Sequence, residues 1–196
     1  MFNKYNMFKN ISVGCIILLL AMVGIGFTGE LDTVENFTLK DYEGKTHSLA
    51  DYMDSEAIVI MFIATQCPVS NAYNTRMVDL YEAYKNKNVT FLGINSNKQE
   101  SVKEIANHSK ENGFQFPVLK DENNIIADKY EAQVTPEIFV LNGKMEVLYH
   151  GRIDDSRRAD DVKSQDLRNA LDAVLAGKKV PLKETKAFGC TIKRIN

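Results

Sequence analysis

The sequence predicts an α/β fold in which a mixed central sheet is flanked by helices, and two adjacent segments support this. Residues 57–64 form an unbroken apolar run rich in Ile and Val, as expected of a strand buried on both faces of a sheet. Apolar residues at helical spacing follow at once: Val69, Tyr73, Met77, Leu80 and Tyr84. The residues between the two segments therefore lie at the carboxyl end of a central strand and at the start of a helix.

The other predicted strands surround this central one. They cover residues 36–39, 46–49, 89–94, 138–141 and 145–149. Asn142-Gly143 is a strong signal for a hairpin between the last two. Because a strand-helix-strand crossover is right-handed, the first two core strands are expected to run parallel, and the hairpin adds antiparallel strands.

The predicted helices lie between these strands. They cover residue 68 to about residue 86, residue 97 to residue 113, residues 122–130 and residues 167–175. Asn97 with Glu100 three residues later resembles a capping box that opens the second helix, and Gly113 would close it. Residues 116–118 are expected to begin a connection, and residues 181–196 form a tail without periodicity.

Cys67 lies at the junction of the central strand and the first helix, directly before Pro68. Proline suits the first helical position because its missing N–H is no loss there, which makes Cys67 the N-cap. Unpaired N–H groups and the helix dipole favour an anion at that position, so we expect the thiol pKa to lie below the free value of about 8.5. The alternative is that Cys67 is a small apolar core residue, as free cysteines usually are.

The composition argues against several classes of protein. A chain of 196 residues with 44% apolar and 26% charged residues suits one globular domain. The net charge of −2 and the lack of a large basic cluster give no indication of a nucleic-acid partner. Three cysteines, Cys15, Cys67 and Cys190, are too few and too scattered for a disulfide framework or a zinc site. No metal, haem or nucleotide motif is visible, so no cofactor is predicted.

Residues 1–29 are predicted to be a signal peptide or an N-terminal membrane anchor. Lys4 and Lys9 precede an uncharged stretch over residues 10–29, which is just long enough to span a bilayer. Either outcome places the rest of the chain outside the cytoplasm, and an uncleaved segment would contact the membrane through residues 11–29. Residues 30–180 then form the folded domain, and residues 181–196 form the tail that carries Cys190.

A mixed sheet with a reactive cysteine at its first helix is the arrangement of a thioredoxin fold. Phe-Ile-Ala-Thr-Gln-Cys-Pro-Val-Ser at residues 62–70 resembles the active-site segment of TlpA-like thioredoxin-fold proteins. Thr135-Pro136 is similar to the Thr-Pro of these proteins, whose proline is cis and lies against the active-site cysteine. Strings at residues 151–157 and 189–193, Gly-Arg-Ile-Asp-Asp-Ser-Arg and Gly-Cys-Thr-Ile-Lys, are similar to those of the peroxiredoxin-like subgroup of AhpC/TSA redoxins. The resemblance covers about residues 36–193.

Three positions depart from the patterns of related families. A dithiol motif would carry its second cysteine where this chain has Ser70, and a peroxiredoxin would carry a threonine where it has Ala64. Thioredoxin keeps a buried aspartate where this chain has Met61. Cys67 therefore resembles the attacking cysteine of thioredoxin without its neighbouring partner.

The resemblance implies an extracytoplasmic thiol–disulfide oxidoreductase with Cys67 as its nucleophile. Pro68, Thr135 and Pro136 would contact the substrate, because a cis-proline loop offers its backbone to an extended segment. Cys190 is either the resolving thiol or an unpaired tail cysteine. The tail after Val180 spans up to about 50 Å when extended, so it can reach the site.

Two other functions stay open at this point. One is a thiol peroxidase of the peroxiredoxin type, and the other is a non-catalytic thioredoxin-fold binding domain. The expected partner is a protein with a thiol or disulfide, or a small-molecule thiol, because the electrons must come from outside the chain.

The remaining polar candidates are weaker. His47, His108 and His150 are dispersed along the sequence and are expected to be surface or loop residues, with His150, beside Gly151, as the one that could approach the site. The charges between Arg152 and Arg158 alternate in sign and are expected to be solvated, or else to shape the site or hold the tail.

Overall fold

A computed structural model describes residues 31–195. Its strands are β1 (Thr38–Asp41), β2 (Thr46–Ser48), β3 (Ala57–Phe62), β4 (Val89–Asn95), β5 (Val118–Lys120), β6 (Val134–Thr135), β7 (Glu137–Leu141), β8 (Val147–Gly151) and β9 (Cys190–Thr191). Its α-helices are α1 (Pro68–Asn71), α2 (Asn74–Tyr84), α3 (Val102–Glu111), α4 (Ile125–Lys129) and α5 (Asp166–Leu175).

Seven of these strands form one mixed sheet in the order β2-β1-β5-β4-β3-β7-β8. The β3–β4 and β4–β5 pairs are parallel, and the β3–β7 and β7–β8 pairs are antiparallel. Strands β6 and β9 pair separately as a two-stranded antiparallel sheet. The predicted mixed sheet with flanking helices is confirmed, and the run at residues 57–64 supplies the interior strand β3, which lies between β4 and β7.

The two faces of the sheet bury two apolar clusters, and β3 contributes to both. Ala57, Val59 and Met61 point into the cluster shared with α2, α3 and α5. Ile58, Ile60 and Phe62 point into the cluster shared with α4. Every residue of β3 is buried, because alternate side chains face opposite layers.

The predicted long helix after Cys67 is wrong in one respect, because the structure breaks it between α1 and α2. The N–H groups of Ala72 and Tyr73 donate to the carbonyls three residues back, of Val69 at 3.2 Å and Ser70 at 2.9 Å. The Ala72 carbonyl accepts a hydrogen bond from the Arg76 guanidinium at 3.2 Å. The Arg76 side chain thus gives the Ala72 carbonyl a hydrogen-bond partner where the helix is interrupted.

Local contacts also correct other boundaries. The capping box of α3 is made by Ser101 and Glu104, rather than by Asn97 and Glu100. The connection expected at residues 116–118 leads directly into β5, a strand too short to show periodicity. The helix expected at residues 122–130 begins only at α4, because Asn123 and Asn124 adopt left-handed backbone angles.

Within residues 31–195, no helix is both long and apolar enough to cross a membrane. The predicted signal or anchor at residues 1–29 lies outside the described residues.

Candidate active site

Cys67 lies at the carboxyl end of the central strand and caps α1. Its backbone is extended, with φ −86° and ψ 115°, and Pro68 is the first helical residue. The Cys67 sulfur accepts a hydrogen bond from the Ser70 N–H at 3.3 Å, and the residue is 3% exposed. The predicted N-cap position is therefore confirmed. An N–H directed at the sulfur favours a thiolate over a thiol when the residue is reduced.

Ser70 occupies the position of the second cysteine in a dithiol motif, and it has a different role here. It is fully buried, and its hydroxyl accepts a hydrogen bond from the Ala64 N–H at 3.2 Å. Ser70 therefore ties the start of α1 to the backbone that leaves β3.

Cys190 is the sulfur partner of Cys67. The two residues form a disulfide with their Cα atoms 5.9 Å apart, across 123 positions of sequence. Cys190 is half-buried, whereas Cys67 is almost fully covered. Of the two alternatives for Cys190, the structure thus shows the paired cysteine.

The Thr135–Pro136 peptide bond is cis and lies beside the disulfide. The Thr135 carbonyl oxygen is 3.4 Å from the Cys67 sulfur, a distance at which a reduced thiol donates a hydrogen bond. Thr135 also pairs with Cys190 across the β6–β9 ladder. The structure thus brings together all the predicted site residues: Cys67, Cys190, Pro68, Thr135 and Pro136.

Glu100 holds the loop that precedes Cys67, a role that the sequence did not reveal. Its carboxylate is 1% exposed and accepts hydrogen bonds from the N–H groups of Thr65 at 2.7 Å and Gln66 at 3.0 Å. The side-chain amides of Asn95 and Asn97 donate to it at 2.5 and 2.9 Å. Four donors satisfy this buried carboxylate and fix the backbone next to the sulfur.

Glu137 holds the other side of the site, directly after Pro136. Its carboxylate accepts hydrogen bonds from the N–H groups of Gln133 at 2.7 Å and Val134 at 3.0 Å, and it pairs with His150 at 2.7 Å. Burial alone would raise the pKa of Glu137, but these hydrogen bonds outweigh it and hold the pKa below its ordinary value of 4.5. A charged Glu137 thus orders the loop that carries the cis-proline.

Arg76 attaches the charged loop to the site helices. Its guanidinium binds Asp154 at 2.5 Å, donates to the carbonyls of Ser156 and Arg157 at 2.8 and 2.7 Å, and stacks on Tyr73 at 3.7 Å. Arg157 in turn donates to the Pro68 carbonyl at 3.4 Å. Part of the predicted solvated loop is therefore packed against the start of α1.

The histidine prediction was wrong for His47, which is buried between Asp41 at 2.8 Å and Tyr52 at 2.5 Å. His150 stacks on Phe139 with ring centroids 4.2 Å apart, while its Nε2 binds Glu137. His108 lies beside α1 and α2, with its Nε2 3.0 Å from the Asn71 amide oxygen. Burial lowers the pKa of His108.

The structure also shows the surroundings of the other two departures in sequence, Met61 and Ala64. Met61 is fully buried in the apolar cluster shared with α2, α3 and α5, and the buried carboxylate that binds the loop before Cys67 is that of Glu100. Ala64 contributes only its backbone N–H to the site, through Ser70. Among residues 31–195, no group of three metal-ligating side chains is present.

The family profile described as AhpC/TSA matches residues 31–150, which is more than half of the chain. The chain belongs to the AhpC/TSA family. The resemblance predicted from the motifs around Cys67 and Pro136 is thus confirmed.

Individual relatives carry two kinds of name. Thiol-disulfide oxidoreductase ResA of Geobacillus thermodenitrificans is 25% identical over 150 residues, covering 69% of this chain and 84% of the relative. Peroxiredoxin Q, chloroplastic, of Sedum lineare is 27% identical over 134 residues, covering 64% of this chain and 70% of the relative. A solved structure of a hypothetical protein from Sinorhizobium meliloti 1021 is 32% identical with a TM-score of 0.79, covering 84% of this chain and 93% of that one.

Proposed function

We propose that the chain is a thiol–disulfide oxidoreductase in which Cys67 is the nucleophile and Cys190 is the resolving cysteine. The observation that carries this proposal is the disulfide between a helix-capping cysteine and a tail cysteine beside a cis-proline. Membership of the AhpC/TSA family and similarity to a relative named thiol-disulfide oxidoreductase support it.

The reduced protein would start the reaction. The Cys67 thiolate attacks one sulfur of a substrate disulfide, forms a mixed disulfide and releases the other sulfur as a thiolate. The Ser70 N–H stabilises the Cys67 anion before the attack. Pro68, Thr135 and Pro136 surround the sulfur and would position the substrate against it.

Cys190 would complete the turnover. Its thiolate attacks the Cys67 sulfur of the mixed disulfide, which forms the Cys67–Cys190 bond and releases the second substrate thiolate. Two protein thiols are thereby oxidised and one substrate disulfide is reduced. A protein dithiol or small thiol then returns the two electrons.

The location of this chemistry is part of the proposal. The positive flank and uncharged stretch within residues 1–29 favour export, with the segment either cleaved or kept as a membrane anchor. A phosphatase reporter fused after Asn196 should then be active only outside the cytoplasm. An inactive fusion at normal expression would contradict export.

Turnover of a model disulfide by the full-length protein tests the catalytic role. Cys67→Ser should abolish turnover with the fold intact, and Cys190→Ser should stop it at a mixed disulfide that mass spectrometry detects on Cys67. Cys15→Ser is the matched control and should behave as wild type. Unchanged turnover in Cys67→Ser would overturn the assignment. A Cys67 alkylation midpoint at or above about 8.5 would instead favour a non-catalytic binding domain.

A thiol peroxidase is the second candidate, favoured by similarity to the relative named peroxiredoxin Q. In that reaction the Cys67 thiolate would attack a peroxide oxygen, become a sulfenic acid and release water or an alcohol. Ala64 in place of threonine argues against it. Thiol-dependent consumption of hydrogen peroxide that matches or exceeds disulfide reduction would support the peroxidase.

A further inference from the structure

The tail occupies the backbone edge that a thioredoxin-like site would offer to an extended substrate. Val134 pairs with Thr191 and Thr135 pairs with Cys190 in the β6–β9 ladder. Gly189 lies so close to Thr135 that a Cβ at position 189 would overlap the Thr135 carbonyl group. The chain thus fills its own cis-proline edge.

The tail is fixed on the C-terminal side of Cys190 by contacts that do not involve the disulfide. Ile192 is 3% exposed in the apolar cluster beneath α4, and its N–H donates to the Gln133 carbonyl at 2.9 Å. The Lys193 N–H donates to the Asn97 side chain at 2.7 Å, and the Lys193 carbonyl accepts from the Lys98 N–H at 2.9 Å. None of these contacts includes a sulfur atom, so breaking the disulfide removes none of them directly.

The tail is also fixed on the N-terminal side of Cys190. The Thr185 N–H donates to the His150 carbonyl at 3.0 Å, and the Thr185 hydroxyl accepts from the Arg152 N–H at 3.0 Å and lies 2.6 Å from the Tyr149 hydroxyl. Phe188 packs edge-on against Tyr73 with centroids 6.3 Å apart. Reduction of the disulfide therefore leaves the tail attached at both ends.

Access to the two sulfurs differs. Cys67 lies beneath the tail and the cis-proline loop, whereas Cys190 is half-buried and lies nearer the solvent. An incoming thiol meets Cys190 first, and the β6 edge beside the cis-proline, which an extended substrate would use, is already paired with β9.

We propose that this site exchanges electrons with low-molecular-weight thiols and disulfides rather than with extended protein segments. The inference rests on the proposed oxidoreductase function. A small thiolate attacks the Cys190 sulfur, and Cys67 leaves as a thiolate that accepts the Ser70 N–H. A second small thiolate attacks the outer sulfur of the mixed disulfide. One small disulfide leaves, and Cys190 returns to the thiol form.

Reduction kinetics of the oxidised full-length protein test this inference. The probes are glutathione and ten-residue peptides, each with one cysteine and with different flanking residues. Without edge pairing, each peptide should react within about threefold of glutathione, whereas two backbone hydrogen bonds to the edge would raise a peptide's rate over that of glutathione by about tenfold or more. Peptides that react faster than glutathione in a sequence-dependent way would overturn the inference while leaving the oxidoreductase function intact.

A variant and a second measurement complete the test. Gly189→Ala should displace the tail from Thr135 and create dependence on flanking sequence, and Lys186→Ala on the exposed part of the tail is the control. In wild type, hydrogen exchange over residues 188–195 should stay slow after reduction, and loss of that protection would also overturn the inference. Failure of every thiol to reduce the disulfide would contradict the proposed function itself.

Discussion

Glu100 and Glu137 hold the backbone on the two sides of the Cys67–Cys190 disulfide. Glu100 fixes the backbone that precedes Cys67, and Glu137 fixes the backbone that precedes the cis-proline. Both carboxylates are buried and saturated with donors, so each is sensitive to loss of charge.

Glu100→Gln should destabilise the protein and slow the reaction of Cys67. An amide can accept at only one of its two ends, so N–H donors at the other end face an NH₂ group, at a cost of about 1–3 kcal/mol. Urea unfolding measures the stability, and alkylation of the reduced protein measures the reactivity of Cys67. Glu111→Gln, at the exposed end of α3, should change neither. If Glu100→Gln reacted with the alkylating agent at the wild-type rate, Glu100 would have no role in positioning Cys67.

The lowered pKa of Glu137 predicts that the stability of the protein depends on pH. Because its folded pKa lies below 4.5, its contribution is fully present above pH 4.5 and is lost as the pH falls through the folded value. Wild type should be more stable than Glu137→Gln at pH 6, and the difference in unfolding free energy should shrink as the pH falls below 4.5. Exposed Glu122→Gln is the comparison variant and should show no such convergence. A difference that stays constant with pH would mean that the Glu137 charge does not act in this way.

At the scale of elements, β9 is stabilised by contacts with neighbouring segments, because it is only two residues long. Two residues cannot form a stable strand alone, and the pairing with β6 persists because Ile192 is anchored in the core directly after it. The short α1 is likewise maintained by its surroundings, with Arg76 bonded to the carbonyl at its end.

Ile192→Ala should loosen this anchor and make the disulfide easier to reduce. Replacing a buried isoleucine with alanine costs about 2–5 kcal/mol of stability. Part of this cost destabilises only the ordered tail, which brings Cys190 to Cys67. Equilibration with a glutathione redox buffer, quantified by thiol trapping, should shift toward the reduced protein. Ile195→Ala, at a residue that is 50% exposed, should leave the equilibrium unchanged. Equal redox equilibria in the two variants would contradict the anchoring role.

At the scale of the whole molecule, the disulfide joins the centre of the sheet to the end of the chain. It closes a loop across 123 positions, and in the chain-entropy model such a closure constrains the unfolded state by about 5 kcal/mol. The bond therefore couples the redox state of the site to global stability.

Oxidised protein should accordingly melt at a higher temperature than reduced protein, and Cys190→Ser should abolish the difference. Thermal unfolding with and without reductant measures this, with Cys15→Ser as the control that keeps the difference. Equal melting temperatures for the oxidised and reduced wild type would show that strain or residual structure cancels the entropic gain.

The sequence by itself determined the central strand, the position of Cys67 and the family. A strand buried on both faces must be apolar throughout, and Pro68 fits only the first turn of a helix, so both features are local. The Thr135-Pro136 pair and the tail string were informative because they are short motifs with fixed meaning in the family.

Only the tertiary structure decided how the site is completed. The Cys67–Cys190 bond, the carboxylate of Glu100 on the Cys67 loop and the burial of His47 depend on segments far apart in sequence. Asn97 and Glu100 have the spacing of a capping box, yet Ser101 and Glu104 cap α3 instead. The Asn97 amide donates to Glu100, and the Glu100 carboxylate binds the loop before Cys67. Periodicity and capping report on a residue's neighbours along the chain, whereas these contacts are made where the folded sheet brings distant backbone groups to one edge.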